Sequence, residues 1–273
     1  ITVSDFMVRM EDLSVAEKYV QTLERSLDVL EVLAHAEEPL GVTEIGNRIS
    51  LHKSTVHRIL QTLCHRGYVE RKKDSERYQL GIKIIELGIR FFNDLEIRKV
   101  AAPILSDLVK ILDEVVHLVL PDDGEIVYID RAESSQVVSM HSKVGRRAPM
   151  HCTAVGKALL STLPEEEVRH ILDVKGMTKY TPNTITDPEV LLEGLRKIRL
   201  SKISVEKEEN EIGIICLGTP IFDYSGRAIG AISVSGPASR ITEKGIDWIG
   251  GELKKAGESV SAKLGFDFFQ RVN

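Results

Sequence analysis

Lys53, Ser54, Thr55, His57 and Arg58 crowd the front of one stretch, "LHKSTVHRILQTLCHRGY" at residues 51–68. Val56, Ile59, Leu60 and Leu63 recur through it, so the stretch reads as a helix with a core-building stripe and a polar front edge. That edge carries groups suited to nucleic acid. An Arg can fork onto guanine O6 and N7, and Ser and Thr hydroxyls can serve bases or phosphates. Lys72, Lys73 and Arg77, just beyond, suit backbone phosphates or a minor-groove probe. The plainer alternative is a solvated basic helix in some other small domain.

A second set of candidates lies in the other half of the chain. His151 beside Cys152 invites a thiol nucleophile. Adjacent residues on an extended segment point opposite ways, however, and no third orienting group can be identified. His151, Cys152, Cys216 and a nearby acid could make a metal site, but no tight ligand spacing supports one. By residue type Cys216 reads as a small apolar strand residue, and Cys64 as a buried structural thiol. The expectation is therefore no catalytic residue, no metal and no cofactor. A binding pocket is better supported. "HCTAVGKALL" starts a helix at about Thr153–Gly156, where backbone N–H groups can receive a carboxylate. "AISVSG" alternates, which puts Ser233 and Ser235 on one strand face. Residues 206–211, "EKEENE", bring carboxylates to a strand entrance, and most of that run reads as a solvated loop.

Positioning these groups falls to a recognisable order of elements. Residues 22–36 form a helix, stopped by Pro39 and Gly41. Thr43 is placed to cap a short second helix. The third runs from about Lys53 to His65 and ends at Gly67 in the left-handed region. "YVERKK" and "RYQLG" then pair as a hairpin across Asp74–Glu76. Helix, short helix, turn, longer helix, hairpin is the order of a winged helix-turn-helix. Charge agrees: residues 22–46 carry one Arg against six acids, net −5, whereas residues 47–80 carry eight Lys and Arg against three acids, net +5.

Residues 82–113 are helical again, with a break near Asn93–Asp94 and Pro103 expected to kink the helix or start a new one. Strands follow at "VVHLVLP", "EIVYIDRA" and "QVVSMHSK". Helices are expected at about 153–161, 165–173 and 187–201, the last capped by Asp187 with Pro188 at its first position. "EIGIICLGTPIF" and "RAIGAISVSGP" make a long hairpin, and a final helix runs from Thr242 to about Lys263. The second half is thus an antiparallel-rich α+β unit.

The 273 residues are 42% hydrophobic and 28% charged with net charge −5, which describes a soluble globular chain and not a generic polyanion binder. No apolar run reaches a membrane-spanning length. The first residues, "ITVSDFMVRMEDL", do not read as a secretory signal. Three distant cysteines fit reduced thiols, and so a cytoplasmic location.

"KSTVHRILQTLCHRGYVER", "HCTAVGKALLSTLPEEEV" and "EENEIGIICLGTPIFDYSGRAIGAISVSGP" together resemble the IclR family of bacterial transcription regulators, from about residue 22 to 265. The resemblance implies an N-terminal extension (1–21), a winged helix-turn-helix domain (22–81), a linker helix (82–96) and a GAF/PAS-like effector-binding and oligomerisation domain (97–273). It also implies homodimers or homotetramers on palindromic or near-palindromic DNA operators, answering to a small organic acid. Carried over position by position, Val137 and Met140 would form an apolar wall and Ala154 and Val155 would bring helix-start amides. Glu206 would stand where the family usually has aspartate, and Ile214, Cys216, Ser233 and Ser235 would line the sheet. Some members have glycine where this chain has Ala154. The expected function is a ligand-responsive regulator, a repressor in preference to an activator, and not an enzyme. The rival is a DNA-binding regulator whose second half only oligomerises or senses metal or redox state.

Overall fold

The computed structural model describes residues 19–135 and 142–267, in two compact units, one ending at Asp94 and the other beginning at Leu95. The first holds α1 (Gln21–Ala34), β1 (Leu40–Gly41), α2 (Val42–Arg48), α3 (Lys53–His65), β2 (Val69–Arg71), β3 (Arg77–Leu80) and α4 (Lys83–Asp94). The apolar stripes of α1 and α3 supply Val29, Leu33, Val56, Ile59 and Leu60 to a core closed by Ile45, Val69 and Tyr78. The strands pair antiparallel in the order β1-β3-β2, with Val69 opposite Leu80. α3 ends as its sequence predicts. Gly67 takes φ 79°, and the Tyr68 N–H donates to the Leu63 carbonyl at 2.9 Å. A residue with a Cβ reaches that left-handed conformation only at a cost.

Thr43 does not cap α2. The helix begins at Val42, with Gly41 as its N-cap, because the Glu44 carboxylate turns back to accept the Gly41 N–H at 2.6 Å. β1 was not anticipated, since two residues are too few to show an alternating pattern.

The second unit runs α5 (Glu96–Leu112), β4 (Val115–Asp122), β5 (Glu125–Ala132), β6 (Arg147–Pro149), α6 (Ala154–Leu160), α7 (Glu165–Lys175), α8 (Pro188–Ser201), β7 (Ser204–Lys207), β8 (Ile214–Phe222), β9 (Ala228–Pro237), α9 (Ala238–Lys244) and α10 (Ile246–Lys263). Its six strands form an antiparallel sheet in the order β6-β5-β4-β9-β8-β7. Alternation divides the sheet into two faces. On one, Val119, Ile126 and Ala231 join a core with Val155 and Leu159 of α6, Val168 of α7 and Leu191 of α8. On the other, α5 and α10 lie so close that a Cβ on Gly230 would meet Ile97 and one on Gly257 would meet Thr219. The whole is an α+β architecture, and no helix among the described residues is long and apolar enough to cross a membrane.

Two expectations need correction. Pro103 does not start a new helix but sits inside continuous α5. Burial of Ile97, Ala101, Leu105, Leu108 and Leu112 along one stripe holds the helix together across the single missing N–H. The last helix is two helices, broken at Gly245 with φ 92°. The strand expected at "QVVSMHSK" falls largely outside the described residues.

Candidate nucleic-acid interface and ligand cavity

On α3 the side that builds the core and the side that meets solvent are cleanly separated. Val56, Ile59 and Leu60 are buried, while Lys53, Ser54, His57 and Arg58 are exposed and Thr55 is half-buried. Lys72 and Lys73, in the β2–β3 turn, are also exposed. None of these seven side chains makes a hydrogen bond or ion pair with another described residue, apart from their backbone groups. A helix held by its apolar stripe, with free donors along its first turns, has the geometry for groove entry. Arg77 differs from the expectation of a free wing cation. Its guanidinium donates to the Pro39 carbonyl at 2.7 Å and pairs with Glu44 at 3.2 Å, so it ties the hairpin to the start of α2.

In the second unit, strand register brings distant polar residues into rows. Cys216 of β8 stands opposite Glu206 of β7 on one side and Ser235 of β9 on the other. In the next row Gly218 stands between Ser204 and Ser233, and Ser233 stands opposite His117 of β4. Side chains two apart share a face, so both rows look the same way. The first row opens into a cavity of about 370 Å³, reached also by His117, Tyr128, Arg146 and Asn210.

Glu206, Ile214, Cys216 and Ser235, which the resemblance assigns to an effector, line this cavity. Ala154, Val155 and Ser233 do not. A Cβ on Gly218 would lie 2.7 Å from the Ala154 carbonyl group, so the start of α6 is pressed onto the second row. The Ala154 carbonyl accepts the Ser204 hydroxyl at 2.5 Å, Val155 is core, and the Gly156 N–H is taken by the Thr153 hydroxyl at 3.2 Å. Of the helix-start amides, that of Gly156 is thus already engaged by its own N-cap residue. Val137 and Met140 lie outside the described residues.

Burial sets the electrostatics. The Glu206 carboxyl is pushed up to about 7, chiefly by desolvation, against the N–H groups of Glu209 and Asn210 that it accepts. His117 is pushed down to about 3 by burial and then by the Arg131 charge, so it stands neutral at physiological pH. Its Nε2 lies 2.7 Å from the Ser142 hydroxyl and its Nδ1 3.4 Å from that of Ser233. His117 was missed by sequence reasoning, and its signal was a lone imidazole in an otherwise apolar strand run. Glu209, expected in a solvated loop, is buried and pairs with buried Lys157.

The thiol candidates do not assemble a nucleophile. Burial pushes Cys152 up to about 12, and its thiol points to Asn210 Oδ1 at 3.8 Å. His151 Nε2 lies 3.1 Å from the Thr178 carbonyl, which only accepts, so that nitrogen carries the proton. Cys216 is pushed well up by burial and then by Glu206. Among the described residues no three His, Cys, Asp or Glu side chains gather as a metal would need.

Known proteins match both units. Residues 22–73 match the IclR helix-turn-helix domain, and residues 90–262 match the model of the bacterial transcriptional regulator IclR C-terminal domain. The HTH-type transcriptional regulator KdgR of Escherichia coli K12 is 34% identical over 255 residues, covering 93% of this chain and 97% of that one. The transcriptional repressor IclR of the same organism is 33% identical over 248 residues, covering 90% of each chain. Among solved structures, the Thermotoga maritima IclR has 38% identity and a TM-score of 0.74, covering 91% of this chain and 100% of that one. An IclR homologue from Microbacterium hydrocarbonoxydans, complexed with 4-hydroxybenzoate, has 26% identity and a TM-score of 0.78, covering 89% and 98%.

Proposed function

This chain belongs to the IclR family of bacterial transcriptional regulators, and from that premise we propose that it is a cytoplasmic, ligand-responsive repressor governed by a small organic acid bound in the second unit. One observation carries the reading: the row Glu206–Cys216–Ser235 opens into a cavity of about 370 Å³. Ligand sites typically start at about 300 Å³ and combine apolar walls with a few fixed polar groups. Here the neutral His117, the Ser235 hydroxyl and the Tyr128 phenol offer hydrogen bonds, and Ile214 offers apolar surface.

DNA engagement falls to Lys53, Ser54, Thr55, His57 and Arg58 of α3, with Lys72 and Lys73 gripping phosphate. A second copy of the chain supplies the other half of a palindromic or near-palindromic operator. Ile82, Ile85, Leu87, Ile89 and Phe91, along and just before α4, are each about half or more exposed, as are Leu23 and Leu27 of α1. Such apolar surface on one small unit is what a self-associating face requires. Ligand control requires that the acid bind one arrangement of the dimer better than the other, because only differential affinity shifts an equilibrium.

The test is operator binding by the full chain, with and without organic acids that raise its thermal stability. A stabilising acid that changes operator affinity, with both effects lost in Ser235→Ala, supports the reading. A stabilising acid that leaves operator affinity unchanged at saturation sinks ligand control and leaves a regulator whose second unit only oligomerises.

A further inference from the structure

A second cavity, of about 310 Å³, lies on the opposite side of the sheet, at the far end of β8. Its walls come from five places: Thr219, Pro220 and Phe222 of β8, the Asp223–Arg227 turn, the middle and last turns of α10, Phe266 beyond that helix, and Lys202 after α8. It shares no residue with the cavity of the Glu206 row.

Its chemistry has two halves. One is apolar: Phe222 and Phe266 stack with ring centres 5.1 Å apart and planes 26° from parallel, next to Pro220. The other is cationic. Lys202 and Lys254 both line the cavity, and neither pairs with a carboxylate among the described residues. Lys255, the chain neighbour of Lys254, does pair, with Glu252. Lys202 Nζ sits 5.6 Å from the Phe222 ring centre. Burial, then the charges of Arg199 and Lys254, lowers the Lys202 ammonium from its ordinary value. Arg199 brings no acid either, since its guanidinium donates to the Ser161 and Leu163 carbonyls. The one carboxylate on the cavity wall is that of Glu258, which is exposed at the rim. Lys254 sets a like charge beside the partly desolvated Lys202 ammonium, and an anion between them relieves that repulsion. Lys202 is also held in the left-handed region, at φ 64°, as the C-cap of α8, and its carbonyl accepts the Thr219 hydroxyl at 2.9 Å. The cation is thus pinned at the wall from its own backbone.

We propose that this cavity is a second ligand site, for a small amphipathic carboxylate whose anionic head lies between Lys202 and Lys254 and whose apolar body packs against Phe222, Phe266 and Pro220. It is independent of the site proposed above, lies on the other face of the sheet, and gives the unit a place to bind one acid while another occupies the Glu206 row.

The experiment is a titration of the full chain with 4-fluorobenzoate, followed by ligand fluorine NMR and by calorimetry. Four forms are compared: wild type, Lys254→Gln, Lys202→Asn with Lys254→Gln, and Cys216→Phe, which fills the first cavity. Asn is chosen at 202 because it accepts the left-handed region. The expected result is a binding event that survives Cys216→Phe, weakens about tenfold in Lys254→Gln, and is lost in the double variant. Lys254 is half-exposed on α10, so the single variant reads the charge without disturbing the fold. Binding abolished by Cys216→Phe alone overturns the second site, as does binding that survives there but ignores both lysine changes. Absence of any binding at millimolar probe overturns it as well.

Discussion

Glu206 stands directly opposite Cys216 in the β7–β8 pairing, with both side chains on the cavity wall and the carboxyl almost fully buried. A carboxyl in that position is neutral more often than a solvent-exposed one, and its proton becomes part of the ligand chemistry.

Binding of an anionic ligand to the first cavity should therefore weaken with rising pH. Burial raises Glu206 to about 7, so below that pH the wall is uncharged, and above it a carboxylate faces the ligand. A loss of up to about tenfold per pH unit above 7 is expected. Glu206→Gln should abolish the dependence while keeping an acceptor for the Glu209 and Asn210 N–H groups. Calorimetry from pH 6 to 8.5 with any acid that stabilises the chain is the check, and an unaltered pH profile in the Gln variant would refute it.

Stability should carry two opposed pH slopes. Glu206 binds its proton more tightly folded (about 7) than unfolded (an ordinary 4.5), so stability falls as pH rises between those values. His117 has the reverse sign. It is held near 3 against an ordinary 6.5, so folding is penalised as pH drops below 6.5. Between 4.5 and 6.5 the two terms oppose each other, each at most about 1.4 kcal/mol per pH unit. Glu206→Gln should tilt the profile so that stability rises with pH, and His117→Asn should tilt it the other way. Trp248, the single tryptophan, lies in α10 and reports the second unit during urea unfolding. Parallel profiles in the two variants would contradict the assignment.

Lys157 and Glu209 are both buried and joined by a salt bridge, with Glu209 Oε2 left without a partner in the described residues. Lys157→Met should strand a buried carboxylate and destabilise the second unit by about 3–5 kcal/mol. Adding Glu209→Leu should recover most of that loss. A double variant no more stable than the single one would show that packing, not charge, dominates there.

The exposed donors of the first unit should separate into readers and grips. Arg58→Ala should cost about 1–3 kcal/mol on the cognate operator and relax its sequence preference. Lys72→Ala and Lys73→Ala should weaken all DNA alike and each flatten the salt dependence by about one unit of slope. Arg77→Ala should instead lower the melting temperature of the first unit, because that guanidinium holds Pro39 and Glu44. Binding titrations at several salt concentrations, alongside melting curves, distinguish these outcomes.

Disrupting the apolar face should uncouple copies. Ile85→Glu with Ile89→Glu places two charges on the side of α4 they share. We expect a monomer by analytical ultracentrifugation and a loss of cooperative operator binding, with the helix content unchanged. An unaltered oligomer would move the interface elsewhere.

Local signals in the chain were enough for α3, Gly67, the β2–β3 hairpin and the Asp187 cap of α8, because helical spacing, a left-handed glycine and a capping carboxylate act over a few residues. The α+β class and the basic face of the first unit were legible for the same reason. Pairing was not. That Glu206, Cys216 and Ser235 form one row, and that His117 joins the next, depends on the register of strands far apart in sequence. The same holds for the start of α6. Its small residues suggest an anion receptor, and the packing of the Ala154 carbonyl onto Gly218 is what sets where that helix start lies against the sheet. Glu209 looked solvated in an acidic run, and the fold buries it because Lys157 arrives from another helix to meet it. Composition and periodicity fix which face of an element is apolar. Which polar groups end up together, and with what charge, is decided by long-range packing and the desolvation it imposes.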